Sequence, residues 1–236
     1  MPTGLSIERD ADVLVVTADR GRDNLFTGAM IEQLIEAIED GERDRDLRFV
    51  RLRHEGPNFC LGREREGRSV DEIREEAARI VRANESLRNS PLVSVAEVRG
   101  AAAGFGAGLV AAADVAVASE DATISFPEIF GGLAPTIVIG WLAFAVPYKR
   151  AFEAVSTGRE LRAEEALRWG LLTEAVPRER VASRVDDALA HLRRRHAEGL
   201  RDIKRGFAQA RGMDQVSAAR ASIDPLVMSA LRLGDR

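Results

Sequence analysis

Cysteine is almost absent from this sequence, because the 236-residue chain carries only Cys60. A single cysteine cannot form a disulfide within the chain, so the fold depends on its apolar core. The lone thiol suits a reducing compartment, and residues 1–10 lack the apolar core of a signal peptide. We therefore expect a cytoplasmic protein.

Long apolar runs are also lacking. The longest uncharged stretch, residues 129–148, is interrupted by three glycines and two prolines. Its apolar part is too short to cross a bilayer. We interpret it as a buried loop followed by a short helix, and we expect no membrane partner.

A surplus of positive charge is missing as well. The chain has 34 basic and 38 acidic residues, and its formal net charge is −4. This balance argues against a nucleic-acid partner, which would call for a basic face. Lysine occurs only at positions 149 and 204, so nearly all the positive charge is arginine. Arginine suits phosphate recognition, although solvated helix faces explain the same abundance.

The residues that are present describe a globular protein, with 45% apolar and 31% charged residues. Short apolar runs predict strands at 13–16, 47–52, 91–98, 115–117 and 123–126. Thr27 is the predicted N-cap of a helix with apolar residues at 31, 34, 35 and 38. The charged segment 70–87 and the second half of 100–113 also predict helices, the latter fully buried. From residue 150 onward the chain is predicted to be helical, with a break at 174–177. Alternating strands and helices indicate an α/β fold.

Four segments, in this order, match a known family pattern. They are GPNFCLGRE at 56–64, GAAAGFGAGL at 100–109, ADVAVASE at 113–120 followed by Phe126-Pro127-Glu128, and TGRELRAEEALRWGL at 157–171. Over about residues 5–215 the chain resembles the crotonase superfamily, the enoyl-CoA hydratases and isomerases. The resemblance implies a crotonase-like ββα spiral over 1–180 and a C-terminal helical region over 181–236 for trimerisation or as a lid. It also implies a homotrimer or homohexamer.

The chemistry that this resemblance implies is the formation of a thioester enolate. Two backbone N–H groups that point at the thioester oxygen would stabilise its negative charge, and the resemblance assigns them to Arg63 and Phe105. Gly62, Gly104 and Gly106 suit loops in which the backbone must approach a ligand closely. Tight helix packing is the alternative explanation for the glycines of 104–108. A dinucleotide fingerprint fits less well, because Leu109 stands where its third glycine is required.

Glu128 is the predicted catalytic base. It follows Pro127 and precedes an apolar stretch, and a carboxylate in such surroundings should have a raised pKa. A helix-capping or ion-paired acid is the alternative. By resemblance Glu128 matches the second of two glutamates that hydratases use, whereas Gly108 stands at the position of the first. One glutamate can still carry a proton between two carbons, which implies isomerisation of 3-enoyl-CoA to 2-enoyl-CoA.

Two other functions stay open at this point. One is an enoyl-CoA hydratase, or a related lyase or hydrolase, with its water held by another acid such as Glu66. The other is a catalytically silent protein on the same scaffold that binds acyl-CoA or only partner subunits. In each catalytic case CoA arrives as part of the acyl-CoA substrate, and no separate cofactor is expected.

Substrate contacts are assigned by resemblance to the loops around these motifs. Arg20 and Arg22, in the turn before Asn24, are candidates for the CoA phosphates. The Arg63 side chain could also reach the phosphates, or only solvent. Cys60 belongs to the substrate-binding loop as a small apolar residue rather than a nucleophile, because no histidine stands beside it.

The acyl pocket has four aromatic or branched candidates, for each of which core packing is the alternative. They are Phe130, Ile137, Trp141 and Phe144. No metal site is expected, because the three histidines at 54, 191 and 196 are scattered and lack carboxylate partners at ligand spacing.

Overall fold

The computed structural model describes residues 4–234. Residues 1–3 and 235–236 lie outside the described residues. The first three belong to the N-terminal segment 1–10 and to the predicted region 1–180, and the last two belong to the predicted region 181–236. Within the described part of the chain, no helix combines the length and apolar character needed to cross a membrane.

Residues 4–234 form nine strands and ten α-helices. The strands are β1 (Leu5–Asp10), β2 (Val13–Ala18), β3 (Phe49–His54), β4 (Val93–Val98), β5 (Ala101–Ala103), β6 (Val115–Ser119), β7 (Thr123–Ser125), β8 (Leu161–Arg162) and β9 (Glu174–Val176). The helices are α1 (Gly28–Gly41), α2 (Val70–Asn89), α3 (Phe105–Ala112), α4 (Thr136–Ala145), α5 (Tyr148–Thr157), α6 (Ala163–Arg168), α7 (Val181–Arg193), α8 (Ala197–Ala210), α9 (Gln215–Ala221) and α10 (Ile223–Gly234). Two short 3₁₀ turns cover Pro127–Gly131 and Arg178–Arg180.

The strands are arranged in two sheets. The larger has the order β1-β2-β3-β4-β6-β9, and only its β1–β2 pair is antiparallel. The smaller has the order β5-β7-β8, with β5 and β7 parallel. This mixed α/β architecture confirms the predicted fold class.

The large sheet is buried on both faces, as parallel sheets usually are. Successive side chains of a strand point to opposite faces, so Phe49 and Val50 of β3 enter different clusters. Val50 joins the main core beneath α1, whereas Phe49 packs with Val181 and Val185 of α7. The helix that begins the predicted C-terminal region thus forms part of the layer that covers the sheet.

Several predicted elements are confirmed. Thr27 caps α1, with its side chain accepting a hydrogen bond from the Met30 amide at 3.2 Å. Helix α2 spans the predicted charged segment and begins with a capping box between Ser69 and Glu72. The second half of 100–113 is the buried helix α3, and its first half contains β5, which was not predicted.

One expectation was wrong. Segment 129–148 is not buried: in α4 only Val138 and Leu142 are buried, and the Phe144 side chain is 87% exposed. The predicted break in the helical region at 174–177 is confirmed, and it contains strand β9, which was not predicted and which pairs with β6 to complete the large sheet. Its three residues are too few to show the alternation that marks a strand.

Candidate active site

One cavity of about 410 Å³ lies between α2, α3, α4 and the 3₁₀ turn at Pro127–Gly131. Helix α2 presents Ile73, Ala77, Ile80 and Asn84 to it. These positions recur every three or four residues, so they share one helix face. The opposite wall is formed by the loop after β3 and the start of α3, the two segments that carry the glycine motifs.

The two glycine-containing segments are joined by backbone hydrogen bonds. The Ala103 amide donates to the Cys60 carbonyl at 2.8 Å, and Cys60 pairs with Ala102 in a short parallel bridge. Gly106 is part of the same junction, because a β-carbon on it would stand 2.2 Å from the Cys60 carbonyl oxygen. No side chain fits there, so Gly106 is needed for the close contact between the loop and α3.

The amides of Arg63 and Phe105 both border the cavity. The Phe26 amide donates to the Gly62 carbonyl, and the Phe26 carbonyl accepts from the Glu64 amide. Because Arg63 lies between these two bonded residues, its own N–H points to the other side of the loop. Phe105 is the first residue of α3, so its N–H has no partner within the helix. Neither amide donates to an acceptor within residues 4–234. Both donors are therefore available to a ligand, and the dipole of α3 favours negative charge near Phe105.

Glu128 borders the same cavity as Arg63 and Phe105. Its Oε1 lies 3.1 Å from where a β-carbon on Gly104 would be, and Gly62 Cα lies 4.0 Å from that same point. Glu128 Oε2 is buried without a hydrogen-bond partner among the described residues. Burial raises the pKa of the carboxyl, and this effect outweighs the nearby charges of Arg65 and Arg63. The ion-paired alternative does not fit, because the Glu128 carboxylate forms no ion pair within the described residues.

Asn84 lies at the position where a second acid would have been expected. A β-carbon on Gly108 would stand 3.5 Å from Asn84 Oδ1. Asn84 Nδ2 donates to the Ile80 carbonyl at 2.9 Å, while Oδ1 is buried without a partner among the described residues. The sequence analysis missed this residue. The sequence does offer a sign of it: position 84 carries a polar amide on a helix face whose other positions, 73, 77 and 80, are apolar.

The other acids near the motifs do not border the cavity. The Glu66 carboxylate accepts a hydrogen bond from the Gly28 amide at the start of α1, and Glu64 pairs with Arg20 at 2.7 Å. Glu128 is thus the one carboxylate along the cavity in the described part of the chain. Within the same residues no group of three potential ligands is placed to hold a metal ion.

Comparisons with known proteins identify the family of the chain. The family model for enoyl-CoA hydratase/isomerase matches residues 8–227. The chain belongs to the enoyl-CoA hydratase/isomerase family. It is 32% identical over 193 residues to the mitochondrial enoyl-CoA hydratase domain-containing protein 3 of Rattus norvegicus, covering 76% of this chain and 62% of the relative. It thus spans about three fifths of the length of that relative.

Two further members are similar over more of their length. The 1,2-epoxyphenylacetyl-CoA isomerase of Escherichia coli K12 is 30% identical over 212 residues, covering 84% of this chain and 79% of the enzyme. A crystal structure of a Thermobifida fusca protein in complex with CoA superposes with a TM-score of 0.89 at 26% identity. That alignment covers 99% of this chain and 95% of the other. The crotonase-like fold is therefore shown.

The Arg63 side chain, which could have pointed to the CoA phosphates or to solvent, does neither in this family member. Its Nη1 lies 2.8 Å from Glu76 Oε2 on α2, and the Glu76 carboxylate also accepts the amides of Glu66 and Gly67. The Arg63–Glu76 pair thus fixes the loop whose backbone supplies the first donor.

The predicted CoA-binding turn is held mainly by internal bonds. Arg20 also donates to the Leu25 carbonyl at 2.8 Å, and the fully buried Asn24 donates to the carbonyls of Glu55 and Asn58. Arg22 is exposed and does not border the cavity. Arg65, which the sequence analysis did not single out, is exposed at the edge of the cavity.

The four predicted pocket residues divide into two groups. Trp141 and Ile137 border the cavity, and Trp141 packs edge-on against Phe126. Phe130 and Phe144 are 73% and 87% exposed and do not border it, so their assignment to the pocket was wrong. Cys60 is fully buried behind the cavity wall, and burial raises the pKa of its thiol to about 12.

Proposed function

We propose that this protein is an acyl-CoA-processing enzyme that converts 3-enoyl-CoA to 2-enoyl-CoA. The observation that carries the proposal is one partly buried carboxylate, Glu128, whose Oε2 has no hydrogen-bond partner among the described residues, in a cavity that is also bordered by Arg63 and Phe105, whose amides are unpaired. A raised pKa is what a general base near neutral pH requires. The CoA in the Thermobifida fusca structure supports the ligand class.

The proposed reaction moves one proton and shifts one double bond. Glu128 removes a proton from C2, and the electrons of that C–H bond form a dienolate whose oxyanion accepts hydrogen bonds from the Arg63 and Phe105 amides. Glu128 then returns the proton at C4, which leaves the double bond between C2 and C3. Each donor of this kind contributes about 10²–10³ in rate. The cycle consumes no redox equivalent, and we propose that CoA enters only as part of the substrate.

Hydration is the competing reaction within the family. It would need a second group to hold and share the protons of a water, and Gly108 supplies none. Glu66 is the acid suggested by the sequence for that role, but its carboxylate binds the start of α1 instead. This placement favours isomerisation. The Escherichia coli relative is also named as an isomerase, of 1,2-epoxyphenylacetyl-CoA.

The decisive experiment compares two assays on the purified protein. We expect conversion of a 3-enoyl-CoA to exceed hydration of the matching 2-enoyl-CoA, and Glu128→Gln to abolish the conversion without lowering the thermal unfolding midpoint. Rapid hydration that survives Glu66→Gln would refute the isomerase assignment. Calorimetric binding of a CoA ester without either reaction would instead identify a silent binding protein.

We also propose a homotrimer or homohexamer. In support, α10 exposes apolar side chains that this chain leaves uncovered, such as Leu226 and Leu231 at 70% and 59% exposure. Light scattering of the purified protein would test this, and a monomer at micromolar concentration would refute it. A cytoplasmic location remains a prediction, and the Rattus norvegicus relative is named as mitochondrial.

A further inference from the structure

Trp141 is the bulkiest side chain on the cavity wall, and the proposed reaction does not use it. Its indole packs edge-on against Phe126, with 6.1 Å between the ring centroids. The Arg88 guanidinium lies over the ring, 5.4 Å from its centroid. Neither Phe126 nor Arg88 borders the cavity, so both support the indole from behind the wall.

Both supports are themselves fixed. Phe126 is fully buried in the main core. Arg88 is half-buried, and its Nη2 donates to the Ala111 carbonyl at 3.1 Å, in the last turn of α3. Carbonyls in the last turn of a helix have no partner within the helix, and the helix dipole favours a cation there. The indole of Trp141 is therefore held in one place by groups that are anchored elsewhere in the fold.

The lining residues of α2 show which end of the cavity is open. Their exposure falls from 51% at Ile73, in the first turn of the helix, to 6% at Asn84. A ligand therefore enters beside the start of α2. The inner end of the cavity lies towards Arg88, about one helical turn beyond Asn84.

Helix α3 advances in the same direction. Phe105, which supplies a proposed donor amide, is its first residue. Gly108 stands beside Asn84, and three residues later Ala111 binds Arg88. The rise of an α-helix places Ala111 about 9 Å beyond Phe105 along the axis. Arg88 and the ring that it covers thus mark the inner end of the cavity.

An acyl group bound for the proposed reaction would extend towards Trp141. The thioester oxygen lies at the Phe105 amide, the reacting carbons lie beside Glu128, and CoA occupies the open side. The rest of the acyl group is therefore directed to the inner end. An extended chain advances about 1.2 Å per atom, so about 9 Å of helix corresponds to roughly six to eight carbons. A longer chain meets the indole.

We propose that Trp141 is a specificity-determining residue that limits the length of the acyl group, and that Arg88 is a positioning residue that holds the indole. The preferred ligands are thus short-chain acyl-CoA thioesters. This inference rests on the proposed acyl-CoA function but not on its direction of proton transfer.

The test uses saturated thioesters, which the proposed isomerisation cannot convert. Calorimetry would compare hexanoyl-CoA with decanoyl-CoA, and we expect the wild-type protein to bind decanoyl-CoA about tenfold more weakly. Trp141→Ala should reverse this order, because each further CH₂ group that the enlarged cavity buries strengthens binding by up to about fourfold. Phe144→Ala removes an exposed ring from the same helix and should keep the wild-type ratio.

A second variant guards against a folding defect in Trp141→Ala. Trp141→Phe keeps an aromatic ring against Phe126 and should give an intermediate ratio. Arg88→Met leaves the indole without its cation and should also lower the ratio. Arg88→Lys keeps a cation and a donor for the Ala111 carbonyl, so it should restore the ratio.

Fluorescence tests the positioning role directly. The chain has two tryptophans, so Trp141 is the single one in a Trp169→Phe background. Arg88→Met should shift its emission to longer wavelength, because the uncovered ring contacts water. Arg88→Lys should leave the emission unchanged.

The outcomes separate this inference from the proposed function. If decanoyl-CoA binds wild type as tightly as hexanoyl-CoA, or if the folded Trp141 variants keep the wild-type ratio, the length limit is refuted while acyl-CoA binding stands. An unchanged ratio and emission in Arg88→Met refute its positioning role. If no ester binds at all, the proposed function itself fails.

Discussion

Glu128 Oε1 occupies the space directly beside Gly104, 3.1 Å from the position of a β-carbon that glycine lacks. Gly104 also has φ of +51° and ψ of −113°, a conformation that L side chains rarely adopt. It directly precedes Phe105, so one residue determines both where the second amide points and how closely the carboxylate approaches it.

Gly104→Ala should therefore disturb two parts of the candidate active site. The new methyl group would displace Glu128, and the strained backbone would rotate the Phe105 amide. Misplacing one oxyanion donor costs about 10²–10³ in kcat, and a side chain held in such a sparsely populated backbone conformation costs about 1–3 kcal/mol of stability. Steady-state kinetics and urea unfolding would measure both effects. Gly212→Ala, where a β-carbon would have no neighbour within 4 Å, is the control and should leave kcat unchanged.

The raised pKa of Glu128 should determine how the reaction rate depends on pH. Its carboxyl titrates above the ordinary value of 4.5 because it is buried. The base must be ionised, so kcat/KM should rise with pH through a midpoint above 4.5 and then level off. A profile that is already flat at pH 4.5 would show that Glu128 is not the base.

The same pKa shift has a consequence for stability. A carboxyl whose pKa is raised by folding contributes stability below its unfolded pKa and loses it as pH rises through the folded pKa. Glu128→Gln should therefore gain stability relative to wild type near neutral pH, and the gain should vanish below about pH 4.5. Thermal unfolding of both proteins from pH 4 to 8 would reveal the crossover.

Local sequence was sufficient for most elements of the fold. The apolar runs of β2 and β3 and the cap at Thr27 are visible within a few residues. The resemblance proposed the Arg63 and Phe105 amides as donors, and both residues border one cavity with Glu128. Their actual approach depends on hydrogen bonds between residues 60 and 103, which no local pattern encodes.

The missed features share a physical reason: each depends on a partner that is distant in sequence. Asn84 is notable only because Gly108 lies beside it. Glu66 turns away from the cavity because the Gly28 amide is within reach. Phe144 is apolar and was expected to be buried, yet α4 packs only through Val138 and Leu142, so the ring is exposed.

Arg63 should act through its backbone rather than its charge. Because its guanidinium pairs with Glu76, Arg63→Met should loosen the loop and lower kcat by less than about tenfold, or about 1.4 kcal/mol in barrier. The KM for an acyl-CoA should change little, since no CoA phosphate contact is lost. A large increase in KM without a change in kcat would contradict this and restore a phosphate-binding role.

Lys204 anchors α8 to the core. Its ammonium group is buried and donates to the Leu87 and Leu92 carbonyls at 2.8 and 2.5 Å, and it pairs with Asp114 at 2.7 Å. Lys204→Met would remove the donor from both carbonyls and the cation from Asp114, which would keep its hydrogen bonds from Ser94. We expect a loss of about 2–4 kcal/mol in the free energy of unfolding. Lys149→Met removes the other lysine, which is exposed, and should change stability by less than about 0.5 kcal/mol.

His54 should make the protein sensitive to acid. Its ring is fully buried at the end of β3, and Nε2 accepts a hydrogen bond from the Arg99 amide at 3.1 Å. Burial and the charge of Arg99 lower its pKa from 6.5 to about 4. The unfolded chain therefore binds more protons than the folded one between these values, and stability falls as pH drops from about 6.5 to 4, by roughly 3 kcal/mol at most.

His54→Gln isolates this effect, because a glutamine carbonyl can accept the Arg99 amide but does not titrate. The variant should be somewhat less stable than wild type at pH 7, and its stability should decline less between pH 6.5 and 4. Urea unfolding at both pH values gives the difference directly. Parallel declines in the two proteins would mean that His54 is not the titrating group. Since β3 leads into the loop that carries the Arg63 amide, we further expect the acid-sensitive step to begin near the candidate active site.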